Sequence, residues 1–143
     1  MLLKSVEYEN FRPFKGIQKI EFTSPDKPDA NVYVVLGDIT HGKSTFVLSF
    51  IWCFYGVSKF TRSKEILNRD IENSLRHGES AQARVTVVFE DAGREYTVKR
   101  VQKFTKSYDS LNSNMSIMTM EYVDEFGQIQ SCGKLNAEFE TAI

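Results

Sequence analysis

Strand-forming patterns dominate the chain and predict a fold built mainly from β-structure. Six segments are predicted to be strands: residues 2–9, 17–22, 83–90, 94–101, 115–123 and 128–131. In residues 94–101, even-numbered and odd-numbered side chains are predicted to lie on opposite faces of a sheet. Pro13 and Gly16 punctuate a turn between the first two strands, and Gly93 marks one between the third and fourth. Each of these pairs is therefore predicted to form a hairpin.

Two apolar segments in the first half of the chain lack this alternation. Residues 32–36 form a continuous apolar run, which is typical of a buried strand. Residues 45–55 are apolar on nearly all sides and contain no Gly or Pro, so we expect a helix buried between layers. Residues 23–30 and 106–114 read as polar loops. Short helices are predicted within the polar segment 58–80, at residues 64–73, and at residues 134–143.

The segment between the apolar strand and the apolar helix carries the main chemical signal. Residues 37–44 read Gly-Asp-Ile-Thr-His-Gly-Lys-Ser, the phosphate-loop pattern of Gly, four residues and Gly-Lys-Ser. A strand, a glycine-bounded loop and a helix start direct backbone N–H groups and the helix dipole toward one anion site. Lys43 would reach the β- and γ-phosphates of ATP, and the Ser44 hydroxyl would ligate Mg²⁺. The predicted nucleotide contacts are Gly37, Asp38, Ile39, Thr40, His41, Gly42, Lys43, Ser44 and Thr45.

Composition narrows the class of protein. The 143 residues are 41% hydrophobic, which is enough for one domain with a core, and the formal net charge is -1. Such a charge excludes a global positive field that would attract nucleic acid. Cys53 and Cys132 lie far apart without metal-type spacing, so free thiols in a reducing compartment are expected. The charged N-terminus and the short apolar stretches predict a cytoplasmic protein without a membrane span.

Two acidic segments offer competing interpretations. Residues 85–91 resemble an apolar strand ending in acids beside Mg²⁺, but a glycine turn and a matching strand follow at once, which favours a hairpin. Residues 124–127 fit the Asp-x-x-Gly element of GTPases, yet the chain has no Asn-Lys-x-Asp guanine-reading motif. A turn is the better interpretation of these four residues. A small kinase or GTPase is accordingly disfavoured.

Several motifs resemble the N-terminal region of SMC-like ATPases. They are Asn-Phe-Arg-Pro-Phe-Lys-Gly at residues 10–16, the loop at 37–45, Trp-Cys-Phe-Tyr-Gly at 52–56, and the strand pair at 87–89 and 96–100. The likeness is greatest to the DndD ATPases of DNA phosphorothioation, with the SbcC and RecF types nearby. It implies an α/β P-loop NTPase half-head, with an antiparallel β subdomain around the phosphate-loop strand and helix.

The resemblance also implies what completes the site. In such ATPases a coiled coil separates this lobe from a C-terminal lobe, and two heads close over ATP and Mg²⁺ while acting on DNA with modification or nuclease partners. The chain is expected to be a single lobe that ends before the glutamine loop and has no ATPase activity alone. Arg12 matches an arginine that approaches the nucleotide phosphates, although a solvated turn arginine is an equal alternative.

Departures from the family pattern keep a second function open. Ile39 and Thr40 stand where the family usually has Asn and Gly, and a β-branched residue disfavours a backbone φ above zero. The alternative is therefore a degenerate P-loop domain that acts as a protein-docking module without binding ATP. The basic residues fall into a first group (Lys59, Arg62 and Lys64) and a second group (Arg94, Lys99, Arg100, Lys103 and Lys106). Solvated surface charge is favoured for the first group, and the second cannot form one DNA patch because Lys99 and Arg100 should face opposite ways.

Overall fold

A computed structural model describes residues 1–28, 32–38, 42–56 and 65–131. Within these residues the chain forms one antiparallel sheet and two helices. The strands are β1 (Leu2–Phe11), β2 (Phe14–Glu21), β3 (Ser80–Asp91), β4 (Arg94–Ser107), β5 (Ser110–Ser113), β6 (Ile117–Val123) and β7 (Ile129–Ser131). The helices are α1 (Lys43–Tyr55) and α2 (Arg69–Ser74). The strand order is β2-β1-β3-β4-β6-β7, and β5 pairs with β4.

The predicted hairpins are confirmed. β1 pairs with β2 and β3 pairs with β4, the latter in continuous register from Ser80 opposite Thr105 to Asp91 opposite Arg94. The β3–β4 turn holds Ala92 and Gly93 at φ of 50° and 76°. The acids that end β3 belong to this hairpin, because Glu90 binds Lys4 at 3.0 Å and Asp91 binds the N-terminal amino group at 3.0 Å. The interpretation of residues 85–91 as a hairpin strand is therefore correct.

Helix α1 packs across the central strands and closes the core. Trp52 and Cys53 are buried against the sheet, and the Cys53 Sγ lies 3.5 Å from the Val85 carbonyl oxygen. The Tyr8 hydroxyl and the Ser49 Oγ are 3.0 Å apart, and the rings of Phe11 and Trp52 lie 5.1 Å apart. These contacts attach α1 to β1 and β3 at once. The sheet therefore positions the helix whose first residues complete the phosphate-loop motif.

One buried arginine fixes the end of α1. Arg100, on β4, donates from Nε to the Cys53 carbonyl at 2.9 Å and from Nη2 to the Phe54 carbonyl at 3.3 Å. Its Nη1 donates to the Ser116 Oγ at 2.9 Å. A cation at a helix C-terminus interacts favourably with the negative end of the helix dipole. It also donates to carbonyl groups that the helix itself leaves unpaired. Lys99 points to the opposite face and is exposed, which confirms the predicted alternation of these two residues.

Two sequence predictions need correction: the loop at residues 106–114 and the bounds of the helix at residues 64–73. Residues 106–114 are not a loop, because β4 continues to Ser107 and β5 pairs back along it from Ser110 to Ser113. The helix predicted at residues 64–73 is shorter and begins at Arg69. The helix predicted at residues 134–143 lies outside the described residues. Cross-strand pairing explains β5, since its Ser- and Asn-containing sequence carries little strand propensity of its own.

Two further predictions are wrong: a buried strand at residues 32–36 and a helix α1 buried between two layers. The common reason is that the described residues supply only one covering sheet. Residues 32–36 form no strand, and Val34 and Leu36 are 79% and 88% exposed. Helix α1 is not enclosed on all sides either, because Val47 on its outer face is 57% exposed. Across the described residues, the sheet covers one face of α1 and no strand pairs with residues 32–36. Within this part of the chain, neither helix has the length and apolarity that crossing a membrane requires.

Candidate functional site

The second half of the phosphate-loop motif lies at the start of α1. Gly42 occupies the N-cap position with φ of 86°, a left-handed conformation that glycine adopts without steric cost. Lys43 and Ser44 follow as the first helical residues, and Ser44 is exposed. The first turn of α1 carries no acidic side chain, so its N–H groups present an unopposed positive potential. Thr45, also predicted as a contact, is buried and turned away from solvent.

Lys43 brings the two ends of the loop together. Its Nζ donates to the carbonyl oxygens of Gly37 and Asp38, which lie six and five residues earlier in the chain. The ammonium group therefore sits over the loop's own backbone, in the region where the motif places phosphate oxygens. Of the predicted contacts, Ile39, Thr40 and His41 lie outside the described residues.

The turn between β1 and β2 contacts the loop directly. A Cβ built on Gly42 would lie 3.5 Å from the Phe14 ring and 3.6 Å from the Pro13 Cγ. Arg12, one residue earlier, has φ of 51°, which non-glycine residues rarely adopt. Its backbone is held there because Arg12 N donates to the Ile66 carbonyl at 2.8 Å and the Asn68 Nδ2 donates to the Arg12 carbonyl at 2.6 Å. Such strain concentrates at binding sites when the surroundings enforce it.

The Arg12 side chain faces a cavity of about 780 Å³ beside α2. The Arg12 Nη1 is buried and has no hydrogen-bond partner among the described residues. Lys43 and Ser44 do not line this cavity. Its lining residues are Arg12, Pro13, Glu65, Leu67, Asn68, Arg69, Asp70 and Glu72. The structure therefore places Arg12 next to the phosphate loop and in the lining of a space to which Lys43 and Ser44 do not contribute.

Asn68 organises the cavity, and sequence reasoning did not single it out. It is buried, and its Oδ1 accepts from the backbone N–H groups of Asp70 and Ile71 at 3.1 and 3.3 Å, which caps α2. Its Nδ2 binds the Arg12 carbonyl, as described above. An Asn followed two residues later by Asp is a helix-start signal that could have located this cap. Its link to Arg12 spans 56 residues and leaves no local sequence signal.

Cysteine and aromatic side chains near α1 are structural. Cys53 is a free, buried thiol, as predicted, whereas Cys132 lies outside the described residues. Burial raises the pKa of the Cys53 thiol to about 12, which keeps it protonated and unreactive at neutral pH. Burial likewise raises the pKa of Tyr8 to about 12, against a smaller lowering by the Ser49 hydrogen bond. Neither group is poised for nucleophilic or acid–base chemistry.

The remaining charged candidates do not converge on a second site. Arg100 is buried, and Arg94 lies 5.7 Å from the centre of the Tyr122 ring. Lys59, Arg62 and Lys64 lie outside the described residues. Asp124 accepts backbone N–H groups of Phe126 and Gln128 at 2.9 and 2.8 Å, which confirms a turn at residues 124–127. The described residues contain no cluster of three or more His, Cys, Asp or Glu side chains that could hold a metal.

Comparison with known families supplies an independent assignment. A family model described as AAA domain matches residues 5–141, which include most of β1, the other six described strands, both helices and the whole phosphate loop. No curated protein matches the chain. The match covers nearly all of the sequence, so it concerns the fold as a whole rather than the loop motif alone.

Proposed function

Because the chain belongs to the AAA domain family of ATPases, we propose that it is the ATP-binding lobe of an SMC-like ATPase that acts on DNA. Its role would lie in DNA modification of the phosphorothioation type, in defence or in repair, as the motifs at residues 10–16, 37–45 and 52–56 suggest. The partners would be the protein's own C-terminal lobe, a second head, DNA and modification or nuclease proteins. The site of action would be the cytoplasm.

The arrangement of Gly42, Lys43 and Ser44 at the start of α1 is the observation that carries this proposal. The helix start offers N–H groups, an ammonium group and an exposed hydroxyl, with no carboxylate in the first turn to repel an anion. This donor set fits the triphosphate of ATP and one coordination position of Mg²⁺. When bound, Mg²⁺ would neutralise the charge of the β- and γ-phosphate oxygens. Lys43 would exchange the Gly37 and Asp38 carbonyls for phosphate oxygens.

The exposure of residues 32–36 supports a second lobe. Val34, Val35 and Leu36 are 79%, 46% and 88% exposed, so the run presents apolar side chains to solvent. Continuous apolar runs are typical of strands covered on both faces, above all in parallel sheets. A strand of this kind, leading straight into a phosphate loop and a helix, needs neighbouring strands that the described residues do not provide. A C-terminal lobe of the kind that the resemblance implies is the proposed source of those strands.

Binding of Mg²⁺–ATP to this chain tests the proposal directly. We expect calorimetry to detect binding to the wild type and a loss of at least about tenfold in affinity for Lys43→Ala, because a charge-assisted contact to phosphate is removed. Lys99→Ala is the matched control, since Lys99 is an exposed lysine on the outer face of β4. It should bind like the wild type, and both variants should melt like it. Equal binding by Lys43→Ala and the wild type would reject the phosphate-loop assignment.

One observation favours the alternative function, in which the domain docks another protein and does not bind ATP. The exposed apolar run at residues 32–36 could bind another protein whether or not the loop holds a nucleotide. A wild type that folds but does not bind ATP would support this alternative. In either case we expect no ATP turnover by residues 1–143 alone, because the proposal assigns water activation and charge stabilisation to a C-terminal lobe. Turnover that disappears in Lys43→Ala would instead indicate a self-sufficient enzyme.

A further inference from the structure

The described sheet ends in two edge strands of very different length. On one side, β7 contributes only the three residues Ile129–Ser131, and a short edge strand resists further pairing. On the other side, β2 contributes the eight residues Phe14–Glu21, and among the described residues it pairs only with β1. Residues 15–21 are all exposed. The outer edge of β2 is therefore long enough and open enough to pair with a further strand.

The hydrogen-bond pattern of the β1–β2 hairpin shows which backbone groups of β2 face this edge. Phe22 N donates to the Lys4 carbonyl at 2.8 Å, in continuation of the β1–β2 register. Hydrogen-bonded and non-hydrogen-bonded pairs alternate along an antiparallel ladder, so the even-numbered residues of β2 direct their N–H and C=O groups toward β1. The odd-numbered residues Ile17, Lys19 and Glu21 direct theirs away from the sheet, where a further strand would accept and donate hydrogen bonds.

Lys19 and Glu21 make this edge complementary to itself. Their side chains lie on the same face of β2, form an ion pair of 2.5 Å, and are 49% and 56% exposed. In a two-fold antiparallel pairing, Lys19 of each copy stands opposite Glu21 of the other, and each such pair exchanges both backbone hydrogen bonds. We propose that two copies of this chain associate through β2 in this register. The contact needs no phosphate-loop residue and no nucleotide, so it is independent of the proposed function.

The same register covers an exposed apolar side chain. Ile20 lies opposite Val6 on the face of the sheet that carries α1, and it is 39% exposed, whereas Val6 is completely buried. Across the two-fold axis Ile20 would meet Ile20 of the second copy as a non-hydrogen-bonded pair, in which side chains approach most closely. One register thus pairs opposite charges on one face and apolar side chains on the other, and both kinds of cross-strand pair are stabilising.

Other registers of the same two strands are less favourable. Lys19 opposite Lys19 would place like charges directly across from each other, which is destabilising. A shift toward the start of β2 would need Lys15, whose carbonyl already accepts a hydrogen bond from the Gln18 Nε2 at 3.1 Å. Edge strands are often protected by proline or by charges that repel a second copy. Strand β2 contains no proline, and its outward-facing residues carry one charge of each sign.

Sedimentation of the nucleotide-free chain over a range of concentrations tests the proposal. The paired segments are short and bury less than the roughly 1,200 Å² at which stable interfaces begin, so we expect a weak monomer–dimer equilibrium. Lys19→Glu and Glu21→Lys should each weaken dimerisation about tenfold, because each variant sets like charges opposite each other. Lys15→Glu is the matched control, since Lys15 is 59% exposed and lies outside the paired segment. It should dimerise like the wild type.

A mixture of the two charge variants is the sharpest arm of the experiment. The Lys19→Glu chain presents two carboxylates and the Glu21→Lys chain two ammonium groups, so every pair across the axis again joins opposite charges. The mixture, and the double variant Lys19→Glu/Glu21→Lys by itself, should recover the wild-type affinity to within a few-fold. A wild type that stays monomeric at millimolar concentration would overturn the proposal. So would charge variants that dimerise like the wild type, or a mixture that does not recover.

Amide hydrogen exchange locates the contact. The N–H groups of Lys19 and Glu21 should exchange several-fold more slowly at high protein concentration than at low concentration, whereas those of β7, at the opposite edge, should not change. Dimerisation without this protection would assign the interface to another surface, such as residues 32–36, and would overturn the proposal. Dimerisation only in the presence of Mg²⁺–ATP would overturn it as well, while supporting the closure of two heads over nucleotide. Thermal melts of each variant ensure that folded proteins are compared.

Discussion

The β3–β4 hairpin and residues 32–36 are both rich in apolar residues, but they end in opposite environments. Val85, Val87 and Val98 are completely buried in the hairpin, whereas Val34 and Leu36 are almost as exposed as in an unfolded chain. The hairpin contains its own partner strand, two residues away across a tight turn. No described strand pairs with residues 32–36, although the Tyr33 ring lies 4.9 Å from the Phe22 ring. An apolar sequence thus indicates that a segment would be stabilised by burial. Whether the segment is buried depends on a partner strand being available to pair with it.

This contrast separates stability from function in the molecule. The sheet, with α1 packed on it, holds the core of this chain. The phosphate loop joins the exposed run to α1 and takes its position from the helix. Substitutions in the sheet should therefore change the free energy of unfolding, and substitutions in the loop should change ligand affinity. The predictions below test that division, beginning with the largest expected effect.

Phe104→Ala should have the largest effect on stability. Phe104 is completely buried on β4, so the substitution should lower the free energy of unfolding by about 3–5 kcal/mol. The comparison is Leu36→Ala, which removes an exposed side chain and should change it by less than about 0.5 kcal/mol. Urea denaturation of both variants measures the difference. Losses of similar size would show that residues 32–36 are packed within this chain.

Arg100→Met should have the next largest effect. The variant keeps a long side chain but leaves the Cys53 and Phe54 carbonyls without their donor, at a cost of about 2–3 kcal/mol. Lys99→Met, on the opposite face of β4, should change stability by less than about 0.5 kcal/mol. Thermal or urea unfolding distinguishes the two. A neutral Arg100→Met would mean that the end of α1 is stable without this cap.

Alkaline pH should destabilise the fold through Cys53. Burial raises the thiol pKa from the ordinary 9.0 to about 12, so the folded protein keeps a proton that the unfolded chain releases. The stabilisation is complete below pH 9 and is lost as pH rises from 9 to 12, at about 1.4 kcal/mol per pH unit. Unfolding at pH 8 and pH 10 should show this slope in the wild type and a smaller one in Cys53→Ala. Tyr8 contributes equally to both proteins above pH 10, and equal slopes would exclude Cys53 as the source.

Gly42→Ala should have the smallest effect on stability. A Cβ at φ of 86° costs about 1 kcal/mol, whereas its contacts with Phe14 and Pro13 would be ordinary van der Waals contacts. Ser44→Ala is the control, because the Ser44 side chain is exposed and should change stability by less than about 0.5 kcal/mol. Both variants should weaken Mg²⁺–ATP binding. Of the two, only Ser44→Ala should do so without a measurable loss of stability. A fully stable Gly42→Ala would show that the loop does not require the left-handed conformation.

Sequence reasoning succeeded where the signals were local. The hairpin at Gly93 and the turn at Asp124 were predicted correctly because turn residues and flanking strands lie within a few positions of each other. The strand at residues 32–36 was predicted wrongly, since an apolar run carries no signal for its partner and no described strand pairs with it. The two-sided burial of α1 failed for the same reason. The cavity beside α2 could not be predicted, because Arg12 and Asn68 are 56 residues apart and meet through a hydrogen bond from the Asn68 side chain to the Arg12 carbonyl.

In mechanical language, the Arg100 hydrogen bonds are a clamp at one end of helix α1, and the Tyr8–Ser49 hydrogen bond holds the helix again near its middle. Its C-terminal end is fixed to the sheet by the Arg100 hydrogen bonds, and its other end carries Lys43 against the turn at Pro13 and Phe14. A helix of 13 residues is about 20 Å long, so a tilt of about 5° at the clamp moves Lys43 by nearly 2 Å. Ser116, just before β6, accepts a hydrogen bond from the same Arg100 side chain. A displacement of β6 would therefore act on the C-terminal end of α1, and a small tilt there becomes a larger movement at the phosphate loop. Force applied far from the nucleotide could in this way loosen or tighten its grip.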